Sequence, residues 1–162
     1  MKTIPMKAAH KSLIAAFALA ASACASAPLT LNDDVIVPGT RVGDVEIGMP
    51  LSQLLALKGT PNRTIPIPNS AATTYVYDGL SIAAHDEVYW IVVKDRRFRT
   101  SEGVGPGVEQ IFARGALGQP DCVATRTSTT VYDYGDLYFD VDNSSGKVLE
   151  LGVQAETKTC QS

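Results

Sequence analysis

One pattern occurs twice in the sequence, and this repetition constrains the fold more than any other feature. A segment with a glycine, a short amphipathic stretch and then Gly-x-Pro spans 47–61 and returns, more loosely, at 104–120. Apolar residues recur at i, i+3 and i+4 in both copies: Leu51, Leu54 and Leu55 in the first, and Val108, Ile111 and Phe112 in the second. This spacing predicts a helix with one apolar face in each copy, ended by Gly59 and Gly118.

The residues that follow each helix repeat as well. The tyrosine-rich stretch 75–82 is echoed by 132–139, and the apolar run 87–93 is echoed by 147–153. In this alignment of the two copies, Gly48 matches Gly105. The repeated apolar and aromatic stretches predict a three-stranded meander after each helix. The expected fold is α+β: two tandem helix-plus-β-meander repeats, about 42–99 and 100–155, forming one antiparallel sheet with helices on one face. Together they make a single domain, 35–162.

Residues 1–23 have the composition of a secretory signal. A basic front of three lysines precedes an apolar stretch that is too short to span a bilayer, and small residues follow it. The run 21–24 resembles a bacterial lipobox, although alanine stands where leucine is usual. The resemblance predicts that Cys24 is lipidated and becomes the mature N-terminus. The alternative is ordinary cleavage near Ala23. Residues 24–34 have little pattern and read as a tether.

The cysteine count agrees with a lipid anchor. The chain has three cysteines, so lipidation of Cys24 leaves Cys122 and Cys160 as a pair, and a disulfide is expected in an oxidising compartment. A catalytic thiol at Cys122 would need a histidine nearby. The chain without its signal contains only His85.

Charge and composition exclude several classes of function. Without the signal, 11 basic residues face 17 acidic ones, a net charge of −6, and nucleic acid is therefore not an expected partner. A single histidine gives no basis for a zinc site or a Ser-His-Asp triad. We expect no enzymatic activity, no metal, no cofactor and no small-molecule substrate.

The two faces of the sheet differ in the pattern of alternate residues. Alternation predicts that these residues face the helices: Tyr89, Ile91, Val93, Leu149, Leu151 and Val153. The tyrosines of the two repeated stretches are expected on the same side: Tyr75, Tyr77, Tyr132 and Tyr134. The opposite surface, which we call the open face, then carries an aromatic and β-branched set: Val76, Val88, Trp90, Val92, Val131 and Tyr138. Acidic residues border it: Asp78, Asp133, Asp140 and Glu150.

Exposed aromatic residues with a charged rim are typical of protein interfaces. The predicted protein-binding residues are therefore Val76, Val88, Trp90, Val92 and Tyr138. The alternative is that both faces are covered.

A glycine-containing turn, a short helix ending in Gly-x-Pro and a tyrosine-rich meander, present twice, resemble the β-lactamase-inhibitor-protein-like superfamily. That superfamily includes tandem-repeat secreted inhibitors and the SmpA/OmlA (BamE-type) outer-membrane lipoproteins. The resemblance covers about 40–155 and implies an open sheet face that grips another protein. It also implies, as an alternative, a role in outer-membrane assembly.

The expected function is therefore that of an exported, lipid-anchored, non-enzymatic protein-binding module, similar to an inhibitor or an immunity protein. The alternative is a structural subunit of envelope assembly. We expect it in the periplasm of a bacterial cell envelope, held to the outer membrane through Cys24, with another protein as its partner.

Overall fold

A computed structural model describes residues 33–155, and these residues form an α+β fold with two helices, a large antiparallel sheet and a small sheet. The helices are α1 (Leu51–Lys58) and α2 (Gln110–Leu117). The small sheet is β1 (Ile36–Val37), β2 (Arg41–Val42) and β3 (Val45–Glu46). The large sheet is β4 (Arg63–Pro66), β5 (Thr73–Tyr77), β6 (Leu80–Ala84), β7 (Val88–Val93), β8 (Cys122–Thr125), β9 (Thr129–Asp133), β10 (Leu137–Asp142) and β11 (Val148–Gln154).

The large sheet is built from two four-stranded meanders that meet at its centre. Its strand order is β4-β5-β6-β7-β11-β10-β9-β8, with every neighbouring pair antiparallel. Each meander therefore has one strand more than the sequence predicts. The extra strands, β4 and β8, lie at the two edges. The predicted signal segment, most of the tether, Cys24 and Cys160 lie outside the described residues.

Both helices end where the sequence predicts, at a glycine. Gly59 has φ 72° and its N–H donates to the Leu55 carbonyl at 2.9 Å. Gly118 has φ 82° and its N–H donates to the Arg114 carbonyl, also at 2.9 Å. A positive φ costs glycine little, so the chain can leave the helix at these two positions.

The predicted apolar face of α2 is wrong. Ile111 is 84% exposed and Phe112 49% exposed, while Ala113 is fully buried. In α1 the buried residue is Leu54, and Leu55 is 38% exposed. The cause is the starting point of the second helix, because α2 begins two residues later than the matched pattern implies.

The start of each helix is set by hydrogen bonds to the last strand of its own meander. Gly48 N–H donates to the Val88 carbonyl and Gly107 N–H donates to the Val148 carbonyl, both at 2.7 Å. Gly107, and not Gly105, is thus the structural counterpart of Gly48. Gly105 has another constraint, since a Cβ there would lie 2.3 Å from the Phe98 carbonyl oxygen.

A β-bulge interrupts the alternation of each central strand. In β7, Val88 pairs with Ala84 and Trp90 with Ala83, so Tyr89 is the extra residue. In β11, Val148 pairs with Val141 and Glu150 with Asp140, so Leu149 is the extra residue. Tyr89 is 43% exposed and Leu149 46% exposed, although strict alternation predicts both to be buried. One bulge moves every residue before it to the other face of the strand.

The core lies between the helices, the small sheet and one face of the large sheet. Leu54 of α1, Ala113 of α2 and Val42 of the small sheet belong to one buried cluster. The same cluster contains these alternate strand residues of the large sheet: Leu80, Ile82, Ala84, Val88, Ile91, Val93, Leu137, Phe139, Val141, Val148, Leu151 and Val153. Both helices therefore pack on the same side of the sheet, and the open face is the other side.

Candidate binding face

The register of the strands places one continuous row of side chains across the middle of the open face. Val76 pairs with Ser81, Ser81 with Val92, and Val92 with Gly152. The row continues from Gly152 to Tyr138 and from Tyr138 to Asp133. Residues two positions away along the strands lie on the same face, and these include Trp90, Asp140 and Glu150.

The structure brings four of the five predicted binding residues to this face. Val76, Trp90 and Tyr138 are partly exposed, whereas Val92 is only 4% exposed and is covered by its surroundings. Val88 is wrongly predicted: it is 1% exposed and packs in the core on the helix side. The bulge at Tyr89 is the physical reason, because it reverses the direction of the residue that precedes it.

Tyr138 lies across Gly152 on the open face. A Cβ built on Gly152 would be 1.9 Å from Cε1 of the tyrosine ring, so only glycine leaves room for the ring. The same ring stacks on Trp90 with centroids 6.4 Å apart and an interplanar angle of 24°. The two aromatic residues therefore form one platform, which we call the Trp90–Tyr138 platform. The sequence predicts both aromatic residues on this face, but it does not predict that Gly152 lies next to the Tyr138 ring.

Carboxylates gather beside this platform. Asp140 lies directly opposite Glu150 in the register, and Asp133 is next to Tyr138. Lys94 pairs with Glu150, with 3.0 Å between Nζ and Oε2. Oδ1 of Asp140 is buried and has no hydrogen-bond partner. Burial, and then the negative charge of Glu150, raise the pKa of Asp140.

The phenol of Tyr138 lies in a negative environment. Its burial raises the pKa of Tyr138 strongly, and Glu150, Asp140 and Asp133 raise that pKa further. The tyrosine therefore keeps its proton at neutral pH and remains a hydrogen-bond donor. The Trp90–Tyr138 platform, with the Tyr138 hydroxyl protonated, thus lies beside a group of carboxylates. We call this group the acidic patch, and it consists of Asp133, Asp140 and Glu150.

We expect Asp140→Asn to stabilise the protein at neutral pH. The pKa of Asp140 is raised on folding, so its ionised form is disfavoured in the folded state. This penalty is present above the folded pKa and disappears as the pH falls below the unfolded pKa. Urea unfolding of both proteins from neutral to acidic pH will check this: the advantage of Asp140→Asn should shrink on acidification. An advantage that does not depend on pH would contradict this origin.

The remaining sequence candidates are dispersed. His85 lies in the turn between β6 and β7, where its Nδ1 is 3.0 Å from Asp86 Oδ2. Asp78 accepts a hydrogen bond from the Asn62 amide at 2.6 Å, near one edge of the sheet. Within 33–155, no group of three or more histidine, cysteine or acidic residues is arranged to hold a metal ion. Among those same residues, the helices are too short or too polar to cross a membrane.

A shallow depression lies beside α2, on the helix side of the sheet. Glu109, Gln110 and Arg114 contribute to its lining. The Gln110 amide donates a hydrogen bond to the Tyr132 hydroxyl, and the Arg114 guanidinium lies 5.3 Å from the centre of the Tyr132 ring. These contacts tie α2 to the sheet, so the polar groups of the depression already have a structural role.

Comparison with known proteins does not assign a family. No protein-family model matches the chain, and no curated protein matches it. Two similar solved structures are a cysteine-rich secretory protein from Staphylococcus aureus (18% identity, TM-score 0.48) and an extracellular protein containing a SCP domain from Bacillus anthracis (13% identity, TM-score 0.46). The matches cover 76% and 67% of this chain, which spans only 48% and 44% of those two proteins. A DUF4309 family protein from Bacillus subtilis is 16% identical with a TM-score of 0.49, over 73% of this chain and 88% of that protein. The resemblance to inhibitor and SmpA/OmlA proteins stays a prediction.

Proposed function

We propose that the protein is an exported, non-enzymatic binding module that recognises another protein through the open face of its large sheet. The observation that carries this proposal is a contrast between the two sheet faces. We infer that the two halves of the domain arose by duplication, which allows each residue of one half to be compared with its counterpart in the other.

The backbone geometry supports the inferred duplication. The pairing of β7 with β11 is symmetric about the Val92–Gly152 pair. On one side of it Ile91 pairs with Val153, and on the other side Val93 pairs with Leu151. Tyr77 and Tyr134 each donate from the hydroxyl to the carbonyl of the glycine that ends the helix of their own half, both at 3.3 Å. A two-fold relation through the Val92–Gly152 pair accounts for all of these contacts.

On the helix side of β5–β7 and β9–β11, the matched pairs that belong to the core cluster or pack against it keep their apolar or aromatic character. The pairs are Tyr75/Tyr132, Tyr77/Tyr134, Leu80/Leu137, Ile82/Phe139, Ala84/Val141, Val88/Val148, Ile91/Leu151 and Val93/Val153. On the open face, the matched pairs differ in charge, polarity or size. These pairs are Thr74/Val131, Val76/Asp133, Ser81/Tyr138, Ala83/Asp140, Trp90/Glu150 and Val92/Gly152. The requirement for a packed core explains the first set, and it does not require the differences in the second.

The divergence gives the open face two unlike halves. The first half contributes small and apolar groups with Trp90, and Arg63 lies opposite Val76 at its edge; the second half contributes Tyr138 and the acidic patch. An aromatic centre with a charged border is typical of protein-binding surfaces. Recognition of a single asymmetric partner explains why the two halves differ here.

Export and anchoring are part of the proposal. The signal-like segment 1–23 supports export, and the lipobox-like run supports lipidation of Cys24. With Cys24 lipidated, Cys122 and Cys160 would form the disulfide. Mass spectrometry of the protein from its native envelope would detect acyl chains on Cys24 and the Cys122–Cys160 bond. A structural role in envelope assembly is the second candidate, and it is favoured by the same anchor.

Substitution of the Trp90–Tyr138 platform tests the proposal. We expect Trp90→Ala with Tyr138→Ala to lower the yield of a crosslinked envelope partner at least tenfold, because aromatic anchors at the centre of an interface often contribute 2 kcal/mol or more. The measurement is crosslinking in the native envelope, followed by mass spectrometry and quantification. The matched control is Phe112→Ala, which removes an exposed aromatic residue on the helix side.

Folding of both variants would be verified by urea unfolding, and secretion by the amount of each variant in the envelope fraction. Equal partner yield from the platform variant and the wild-type protein would refute binding through the open face. Barrel-assembly defects in a deletion strain, with no platform-dependent partner, would favour the assembly role.

A further inference from the structure

We propose that the acidic patch receives a cationic side chain, lysine or arginine, from a basic segment of the partner, while an apolar residue of the same segment packs on Trp90. This inference rests on the proposed function and specifies the chemistry of the partner. It follows from three features of the second half of the open face: an unsatisfied carboxylate, a deficit of cations and a neighbouring aromatic surface.

Asp140 is the unsatisfied carboxylate. Its Oδ1 is buried without a hydrogen-bond partner, although buried polar atoms are normally paired. The side chain lies in the middle of the sheet, opposite Glu150 on one side and Val131 on the other. Two acidic groups directly opposite each other destabilise a sheet. A cation placed beside these two carboxylates from outside the domain would relieve the repulsion.

Cations of the domain do not neutralise this patch. Lys94 reaches Glu150, but its side chain is 63% exposed, so this ion pair is open to solvent and weak. Arg126 and Lys94 both act to lower the pKa of Asp140, yet burial and Glu150 outweigh them. The patch therefore retains a negative charge that a guanidinium or ammonium group complements.

The aromatic platform extends the site toward the apolar half. The Tyr138 ring separates the acidic patch from Trp90, with which it stacks. A cation beside Asp140 would also approach the face of the tyrosine ring, a favourable arrangement for arginine in particular. An apolar neighbour of that cation would then meet Trp90. The expected partner segment is basic and amphipathic.

Trp90 is the only tryptophan of the chain, so its fluorescence reports on this site directly. The probes are two short capped peptides, one alternating arginine with leucine and the other alternating glutamate with leucine. We expect the basic peptide to change Trp90 fluorescence in a saturable and salt-sensitive way. The double variant Asp140→Asn, Glu150→Gln should weaken this binding about tenfold or more, since charge-assisted contacts are lost. Glu109→Gln, a neutralisation beside α2, is the matched control and should leave binding unchanged.

The outcomes separate the two proposals. Equal binding of the glutamate peptide, absence of binding by the basic peptide, or full binding by the double variant would each overturn the inference. If the platform variant still loses its envelope partner in any of those cases, protein recognition stands and only the partner chemistry is wrong. If the platform variant keeps its envelope partner, the proposed function fails as well.

Discussion

Gly152→Val is expected to destabilise the protein by about 1–3 kcal/mol, the usual range for forcing extra atoms into a packed site. The position faces Val92 across the central strand pair, and Val92 itself shows that the backbone accepts valine there. The obstacle is the Tyr138 ring, which lies 1.9 Å from the place of the new Cβ. The ring would have to leave its position and give up its contact with Trp90. Urea unfolding measures the loss of stability, and Trp90 fluorescence reports the loss of stacking.

A second substitution makes this prediction specific. The counterpart of Tyr138 in the first half is Ser81, which lies beside Val92 without conflict. We therefore expect Tyr138→Ser to remove most of the penalty, so that Gly152→Val costs less than about 0.5 kcal/mol in that background. Such a coupling is the signature of two residues in direct contact. An equal cost in both backgrounds would show that the backbone, and not the ring, requires glycine.

The repeated pattern predicts much of the fold, because helix ends and strand alternation depend on local chemistry. The positive φ of Gly59 and Gly118 ends both helices as expected, and the inward direction of Ile91 and Leu151 follows from period-two alternation. Two features escape this logic. One is the starting point of α2, which depends on the hydrogen bond between Gly107 and a strand about 40 residues later.

The other feature is the pair of bulges. A bulge adds one residue without changing composition, and the sequence around Tyr89 and Leu149 gives no local signal for it. The candidate site is affected accordingly. Trp90 and Tyr138 are assigned to the open face by alternation alone, whereas Val88 is assigned to the wrong face. The contact between Tyr138 and Gly152 needs the register of two strands, which only the structure supplies.

Phe139→Ala is expected to destabilise the protein by about 3–5 kcal/mol, the range for removing a buried aromatic side chain. Phe139 is fully buried, and its ring stacks on Tyr132 at 5.1 Å and on Tyr134 at 5.9 Å between centroids. Truncation would leave a cavity under α2 that these tyrosines, themselves tied to the helix by hydrogen bonds, cannot fill. The measurement is the midpoint of urea unfolding at constant m-value.

Leu149→Ala is the decisive control for this prediction. Strict alternation through β11 would bury Leu149 as a core residue, and its loss would then cost about 2–5 kcal/mol. The bulge instead leaves it 46% exposed, so the structure predicts a change within about 0.5 kcal/mol. A large loss at Leu149 would mean that the bulge is absent and that Val148 and Leu149 exchange faces. The assignment of the open face in the second half would then change with them, because the bulge decides which residues before Glu150 turn toward the helices.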